Sequence, residues 1–173
     1  MAQQTLYVLD SNIFIEAKKR YYRFQVCPGF WDALLWQHSQ GAIVSIDRVK
    51  AEIEHHQDDL KDWTCNTMPG GCFKATNDEA VTTAYGDAIK WVMGNPQFTP
   101  EARALFSQET VADAWVIAYA KAHGATVVTE EKLDLQTRKR VKIPNVCQAL
   151  GVPYMDTFDM LSALSTRFSW QQP

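Results

Sequence analysis

The sequence predicts an α/β protein: a single-domain three-layer sandwich on a central, mostly parallel sheet. Two observations carry this. Short apolar runs at 5–9, 42–46 and 125–129 alternate with stretches of helical period, the pattern of strands joined by crossover helices. The length of 173 residues suffices for one well-buried core but not for two ordinary domains, and no repeat or linker divides residues 1–173.

Taken in order, "TLYVL" (5–9) reads as a buried strand. Asp10, Ser11 and Asn12 follow, all helix N-cap types, and Ile13, Phe14 and Ala17 then recur at helical spacing. The Asp10 carboxylate thus stands at the carboxyl end of a strand, where open α/β sheets bind ligands; the same residue also suits a plain cap. Residues 28–38 have helical period, with Gly41 as the stop. "AIVSI" (42–46) is a second strand, and Asp47 caps a helix through "RVKAEIEHH". The period fails between 57 and 78, so the region around 57–98 is expected to be an insertion or irregular excursion, with "EAVTTAYGDAIKWVM" helical inside it. Pro100 opens a short helix. "SQETVADAWVIAYAKAHG" (107–124) is the strongest helix, with a broad apolar face from Val111 to Ala122 and Gly124 after it. "ATVVT" (125–129) is a strand; "KRVKIP" and "VPYMDT" read as extended, "NVCQALG" as a short helix between them, and "FDMLSALSTRF" as the last helix.

Bulk properties exclude several classes. No apolar run approaches the roughly 18 residues that span a bilayer. Met1 to Thr5 carry no basic segment followed by an apolar core, so the expected location is cytoplasmic, without a membrane partner. Cys27, Cys65, Cys72 and Cys147 are then expected to be reduced thiols. The six-residue gap in "CNTMPGGC" is longer than zinc-ligand pairs use. A net charge of −3 gives no global nucleic-acid signal. A local basic stretch does exist, Arg138, Lys139 and Arg140 after Lys132, suited to a solvated face or to phosphate contacts.

Acids mark the strand ends. Asp10 follows the first strand, Glu52 lies near the start of the helix after the second, and Asp113 sits in the first turn of the strongest helix. Glu130 and Glu131 follow "ATVVT" directly. A parallel sheet puts all its strand C-termini on one side, so these carboxylates gather at one edge. Crowded like charges are unfavourable unless offset, and Mg²⁺ or Mn²⁺ offsets them with a preference for carboxylate and water oxygens. Taken singly, each acid also suits a helix terminus or a surface.

The ordered pattern "YVLDSNIFI", "SIDRVKAEI", "ETVADAWVIAYA" and "ATVVTEE" resembles the PIN-domain family of metal-dependent nucleases, of the toxin (VapC-like) kind. The resemblance covers most of the chain, although residues 57–98 do not map onto it. It implies metal-binding and catalytic roles for Asp10, Glu52 and Asp113, with Ile117 and Ala120 at the expected offsets. Its fourth acid is usually Asp after Thr-x; here Glu131 takes that place after Thr129, with Glu130 and Asp134 as alternatives. The implied activity is that of a Mg²⁺- or Mn²⁺-dependent endoribonuclease, a toxin held by an antitoxin protein.

The chemistry suits the residues. One or two divalent ions, about 3.5–4 Å apart when paired, neutralise phosphate charge, activate water and support the leaving oxygen, so no Cys or His nucleophile is required. Ser11, Asn12, Thr129, Arg138, Lys139 and Arg140 are candidate substrate contacts on RNA; DNA is an open alternative. The main rival is a non-catalytic PIN-like module that binds nucleic acid or protein. An aspartyl phosphatase is disfavoured because Asn12 replaces the second Asp of D-x-D, and a nucleotide-binding fold because no Gly-rich phosphate loop is present. Finally, "YYRFQVCPGFWDALLW" is rich in aromatics. Neighbours Phe30 and Trp31 cannot face the same way on a helix, so one is expected to be exposed and to help form a docking surface for an antitoxin or a second copy.

Overall fold

The computed structural model describes residues 5–170. The reading of residues 1–4 as leaderless, and the chain ends of the 1–173 domain, lie outside them. The elements are β1 (Tyr7–Leu9), α1 (Ser11–Lys19), α2 (Pro28–Ser39), β2 (Ile43–Ile46), α3 (Asp47–Glu54), α4 (Asp59–Asn66), β3 (Phe73–Lys74), α5 (Glu79–Gly94), α6 (Pro100–Phe106), α7 (Ala112–His123), β4 (Thr126–Val128), α8 (Ile143–Leu150), β5 (Tyr154–Met155) and α9 (Thr157–Ala163).

All five strands are parallel, in the order β3-β2-β1-β4-β5. Tyr7 lies between Ile43 and Thr126, and Val8 between Val44 and Val127. Every residue of β1, β2 and β4 is buried. Strands with no exposed alternate residue are covered on both faces, which makes the architecture three-layered. α7 packs across β1, β2 and β4 and lies along α5, while α2 packs on β2. α7 ends as the sequence indicates: Gly124 adopts φ +62°, the left-handed C-cap where a side chain would be strained.

The strand order matters for the site. The chain runs outward from β1 through β2 to β3, then returns to lay β4 on the other side of β1. The reversal between β1 and β4 is the topological switch point, and a crevice opens at the carboxyl ends of strands flanking such a point. Asp10 leaves β1 there, and Thr129 to Glu131 leave β4.

Three expectations are corrected. Residues 57–98 are largely regular rather than an irregular excursion: Asp58 caps α4 by accepting from the backbone N–H groups of Leu60 and Lys61, β3 forms the sheet edge, and α5 packs on α7. A two-residue strand beside a Pro-Gly-Gly turn is too short for periodicity to report. The Asp47 carboxylate is not the cap of α3; it is a first-turn residue that accepts from Thr76 N–H (3.3 Å) and Thr76 Oγ1–H (2.8 Å), tying the segment after β3 to α3. "KRVKIP" is not a strand: α8 begins at Ile143, with Pro144 in its first turn.

Phe30 and Trp31 are both buried, against the expectation that one would be exposed. Trp31 stacks on Phe24 at 4.0 Å and meets Trp63 edge-on at 4.9 Å, while Phe30 stacks on Tyr22 at 4.4 Å. Segments before α2 and from α4 wrap both sides of the helix, so the face a lone helix would expose is covered. Tyr21 and Trp36 are the exposed aromatics of that stretch. The four cysteines are unpaired, and burial pushes the Cys72 thiol up to about 12. Among the described residues no helix is long and apolar enough to cross a membrane.

Candidate active site

Asp10 is 2% exposed at the end of β1. It is both a helix cap and a cavity acid. Its Oδ1 accepts the Ser11 backbone N–H at 2.7 Å, and its Oδ2 accepts the Thr129 hydroxyl at 3.1 Å. The same Thr129 oxygen accepts from Asn12 Nδ2 (3.2 Å) and from the Glu131 N–H (3.2 Å), while Asn12 Oδ1 accepts the Glu130 N–H at 3.0 Å. This network sews the turn after β1 to the turn after β4, across the switch point.

A cavity of about 480 Å³ opens above it, lined by Asp10, Ser11, Asn12, Glu52, Asp113 and Glu131 with Lys139 and Arg140 at its side; α6 and Val111 supply the apolar wall. Four acids from segments far apart in the chain therefore share one hollow. Their charges act on each other. The Asp10 carboxyl is held well above its ordinary range by burial first, then by Asp113 and Glu131. Asp113 is raised to about 7, again by burial first, then by Glu131 and Glu52, with Arg140 opposing. Two neighbouring carboxyls raised above their ordinary range mark a site short of positive charge.

Not every expected residue reaches the cavity. Glu131 lines it, whereas Glu130 turns away to accept from Thr157, and Asp134 faces Lys142 at 3.6 Å. Arg138 is exposed and does not line the cavity; its backbone carbonyl accepts from Thr99 N–H. Thr129, expected as a substrate contact, is 1% exposed behind Asp10 and orients that carboxylate instead. The strand end that positions Asp10 necessarily buries its neighbour on β4.

Like Asp10, Glu52 and Glu131 have protein partners. Glu52 Oε1 accepts the Ala112 N–H at 3.0 Å, fastening α3 to the start of α7 beside Asp113. Glu131 accepts from Arg140 at 2.5 Å and from the Ile143 N–H at 2.8 Å. Arg48 pins the same approach to α7, donating to the Glu109 carbonyl at 2.9 Å and lying 4.8 Å over the Trp115 ring. Sequence reasoning missed Arg48, because its partners lie some sixty positions away. Among the described residues, no three His, Cys, Asp or Glu side chains stand close enough to hold one metal ion. The donor set nonetheless fits a hard divalent cation in chemistry: it is all oxygen, and its crowding raises the Asp10 and Asp113 carboxyls.

The all-parallel sheet and its strand order give the chain a PIN-like α/β fold. It resembles VapBC2 from Rickettsia felis, solved bound to a DNA fragment from their promoter, with TM-score 0.54 and 14% identity over 88% of this chain and 98% of that one. It also resembles FitAB bound to an IR36 DNA fragment, with TM-score 0.51 and 16% identity over 87% of this chain and 94% of that one. Residues 7–168 match the family described as "Domain of unknown function (DUF4411)", and the chain belongs to that family. No curated protein matches the sequence.

Proposed function

We propose that this protein is a Mg²⁺- or Mn²⁺-dependent endoribonuclease and the toxin of a toxin–antitoxin pair. The observation that carries the reading is the shared cavity of Asp10, Glu52, Asp113 and Glu131 at the switch point. Asp10, Glu52 and Asp113 would hold the cation, with Glu131 beside them. When bound, one or two such ions supply charge neutralisation on the phosphate, activation of water and support for the leaving oxygen.

The chain's own residues do the rest. Ser11 N–H and Thr129 Oγ1–H fix the Asp10 carboxylate from behind, leaving little rotational freedom. The rigid start of α7, held by Glu52 and Arg48, fixes Asp113. The Asp113 carboxyl is raised to about 7 by burial, Glu131 and Glu52, so holding a cation there would displace a proton from it. Lys139 and Arg140 are exposed at the cavity wall and would donate to the strand's phosphate oxygens. The two-component make-up named for VapBC2 and FitAB supports a protein partner for this chain as well.

The deciding experiment is cleavage of mixed RNAs with Mg²⁺ or Mn²⁺, with chelator and with Asp113→Asn. Metal-dependent cutting that the variant loses is the expected result. A second reading, a non-catalytic PIN-like module, is favoured by one observation: Glu52 and Glu131 are engaged by the protein itself. Metal-independent RNA or protein binding without cleavage would establish it.

A further inference from the structure

The acidic cavity shares a wall with a second hollow of about 550 Å³. Asn12, Glu131 and Arg140 line both. Beyond that wall the second hollow carries two exposed aromatic rings, Tyr21 (75% exposed) and Phe158 (54%), between Arg20 and Lys132. We propose that this hollow is a base-stacking subsite for a single-stranded nucleic acid whose phosphodiester lies in the acidic cavity; the inference rests on the nuclease reading of that cavity.

The rings are held apart from the core. Tyr22 stacks face to face on Phe30 (4.4 Å, 5°), and Phe158 leans on Tyr22 at 6.2 Å and 50°. Phe158 is thus propped from below while more than half of its surface stays open. Tyr21 extends from the C-terminal end of α1 on the same rim. Leaving two large rings in water has a hydrophobic cost that a flat aromatic ligand removes.

The charges favour a strand of phosphates. Three cations and three carboxylates line the hollow, but they are not equally presented. The side chains of Arg20 (69% exposed), Lys132 (69%) and Arg140 (65%) stand out, while their neighbours Glu16 (32%) and Glu131 (10%) are drawn in. Glu130 is turned to the N–H and hydroxyl of Thr157. Arg20 rests on Glu16 at 2.5 Å and Lys132 on Asp156 at 2.7 Å, surface pairs that hold weakly and exchange readily for phosphate. Exposed cations interleaved with open aromatic faces are how sequence-tolerant single-strand sites are built: the cations track the backbone and the rings stack the bases. Ile13, Ala17 and Tyr22 give the hollow an apolar floor, so a protein partner's anchor is the competing occupant, and the three exposed cations around it are what favour a strand of phosphates.

The test is binding of a short labelled oligouridylate in chelator, so that no strand is cut, by the full chain and by Tyr21→Ala and Phe158→Ala. Each variant is expected to bind about five- to a hundredfold more weakly, the range for losing one stacked base. Tyr21→Phe and Phe158→Tyr keep affinity. A strand made abasic at the stacked position binds wild type and the Ala variants alike. Thermal melting of Tyr21→Ala stays at the wild-type value, and that of Phe158→Ala, which loses its contact with Tyr22, falls by no more than a few degrees. Ala variants that bind the intact strand as tightly as wild type overturn the proposal. So does retained RNA affinity with loss of a co-expressed protein partner, which makes the hollow a protein-docking surface. Ring-dependent binding without any metal-dependent cleavage leaves the subsite standing and removes the nuclease reading; cleavage indifferent to both rings does the reverse.

Discussion

Replacing Asp113 by Asn isolates the electrostatic content of the site. In the folded chain its carboxyl titrates at about 7 rather than the ordinary 3.8, through burial, then Glu131 and Glu52. A raised folded pKa means that the native state binds more protons than the unfolded chain between these two values, so stability falls as pH rises through that window and the full penalty is present above it. Roughly three pH units at about 1.36 kcal/mol each set a ceiling of about 4 kcal/mol. Water reaching this half-buried side chain, and the Arg140 charge, reduce what is realised to about 1–2 kcal/mol. Asn has the same shape and no charge to suppress. Below the unfolded value, at about pH 3, wild type and Asp113→Asn should therefore melt together; at about pH 8 in chelator the variant should melt higher by roughly 2–8 °C, from about 2–4 °C per kcal/mol. Adding Mg²⁺ at the higher pH should stabilise wild type by mass action and leave the variant unmoved. A melting difference that does not change with pH, or a variant less stable at the higher pH, would refute the reasoning.

Glu52→Gln keeps an acceptor for the Ala112 N–H and should preserve stability while losing metal-dependent cleavage; Glu52→Ala should cost about 1 kcal/mol as well, and full activity in Glu52→Gln would show the residue to be only a fastening. Thr129→Val leaves Asp10 Oδ2 and Asn12 Nδ2 without their shared hydroxyl, so denaturant unfolding should report a loss of about 1–3 kcal/mol. Arg140→Gln removes a cation that lowers the Asp113 carboxyl, so its midpoint, followed by carboxyl NMR, should move upward from about 7; no movement would mean that the Arg140 charge does not reach the cavity.

Local chemistry made much of this protein readable in sequence. "AIVSI", "ATVVT" and the Tyr7–Leu9 part of "TLYVL" are buried on every residue and read as strands, and Asp10, Glu52 and Asp113 each follow from their step after a strand or into a helix. Those are short-range facts, set by side-chain period and capping. What only the tertiary structure decided are the long-range pairings. The selection of Glu131 over Glu130 and Asp134 depends on which way the turn after β4 faces once α8 and α9 dock. The burial of Thr129 depends on β1 lying beside β4, and the hold of Glu52 on the start of α7 spans sixty residues. Phe30 and Trp31 are both covered because Tyr22, Phe24 and Trp63 close over α2 from two sides. The second hollow joins residue 21 to residue 158. A linear pattern records what each segment prefers by itself; it does not record which segment will lie across it, and the cavity's charge balance is set by that crossing.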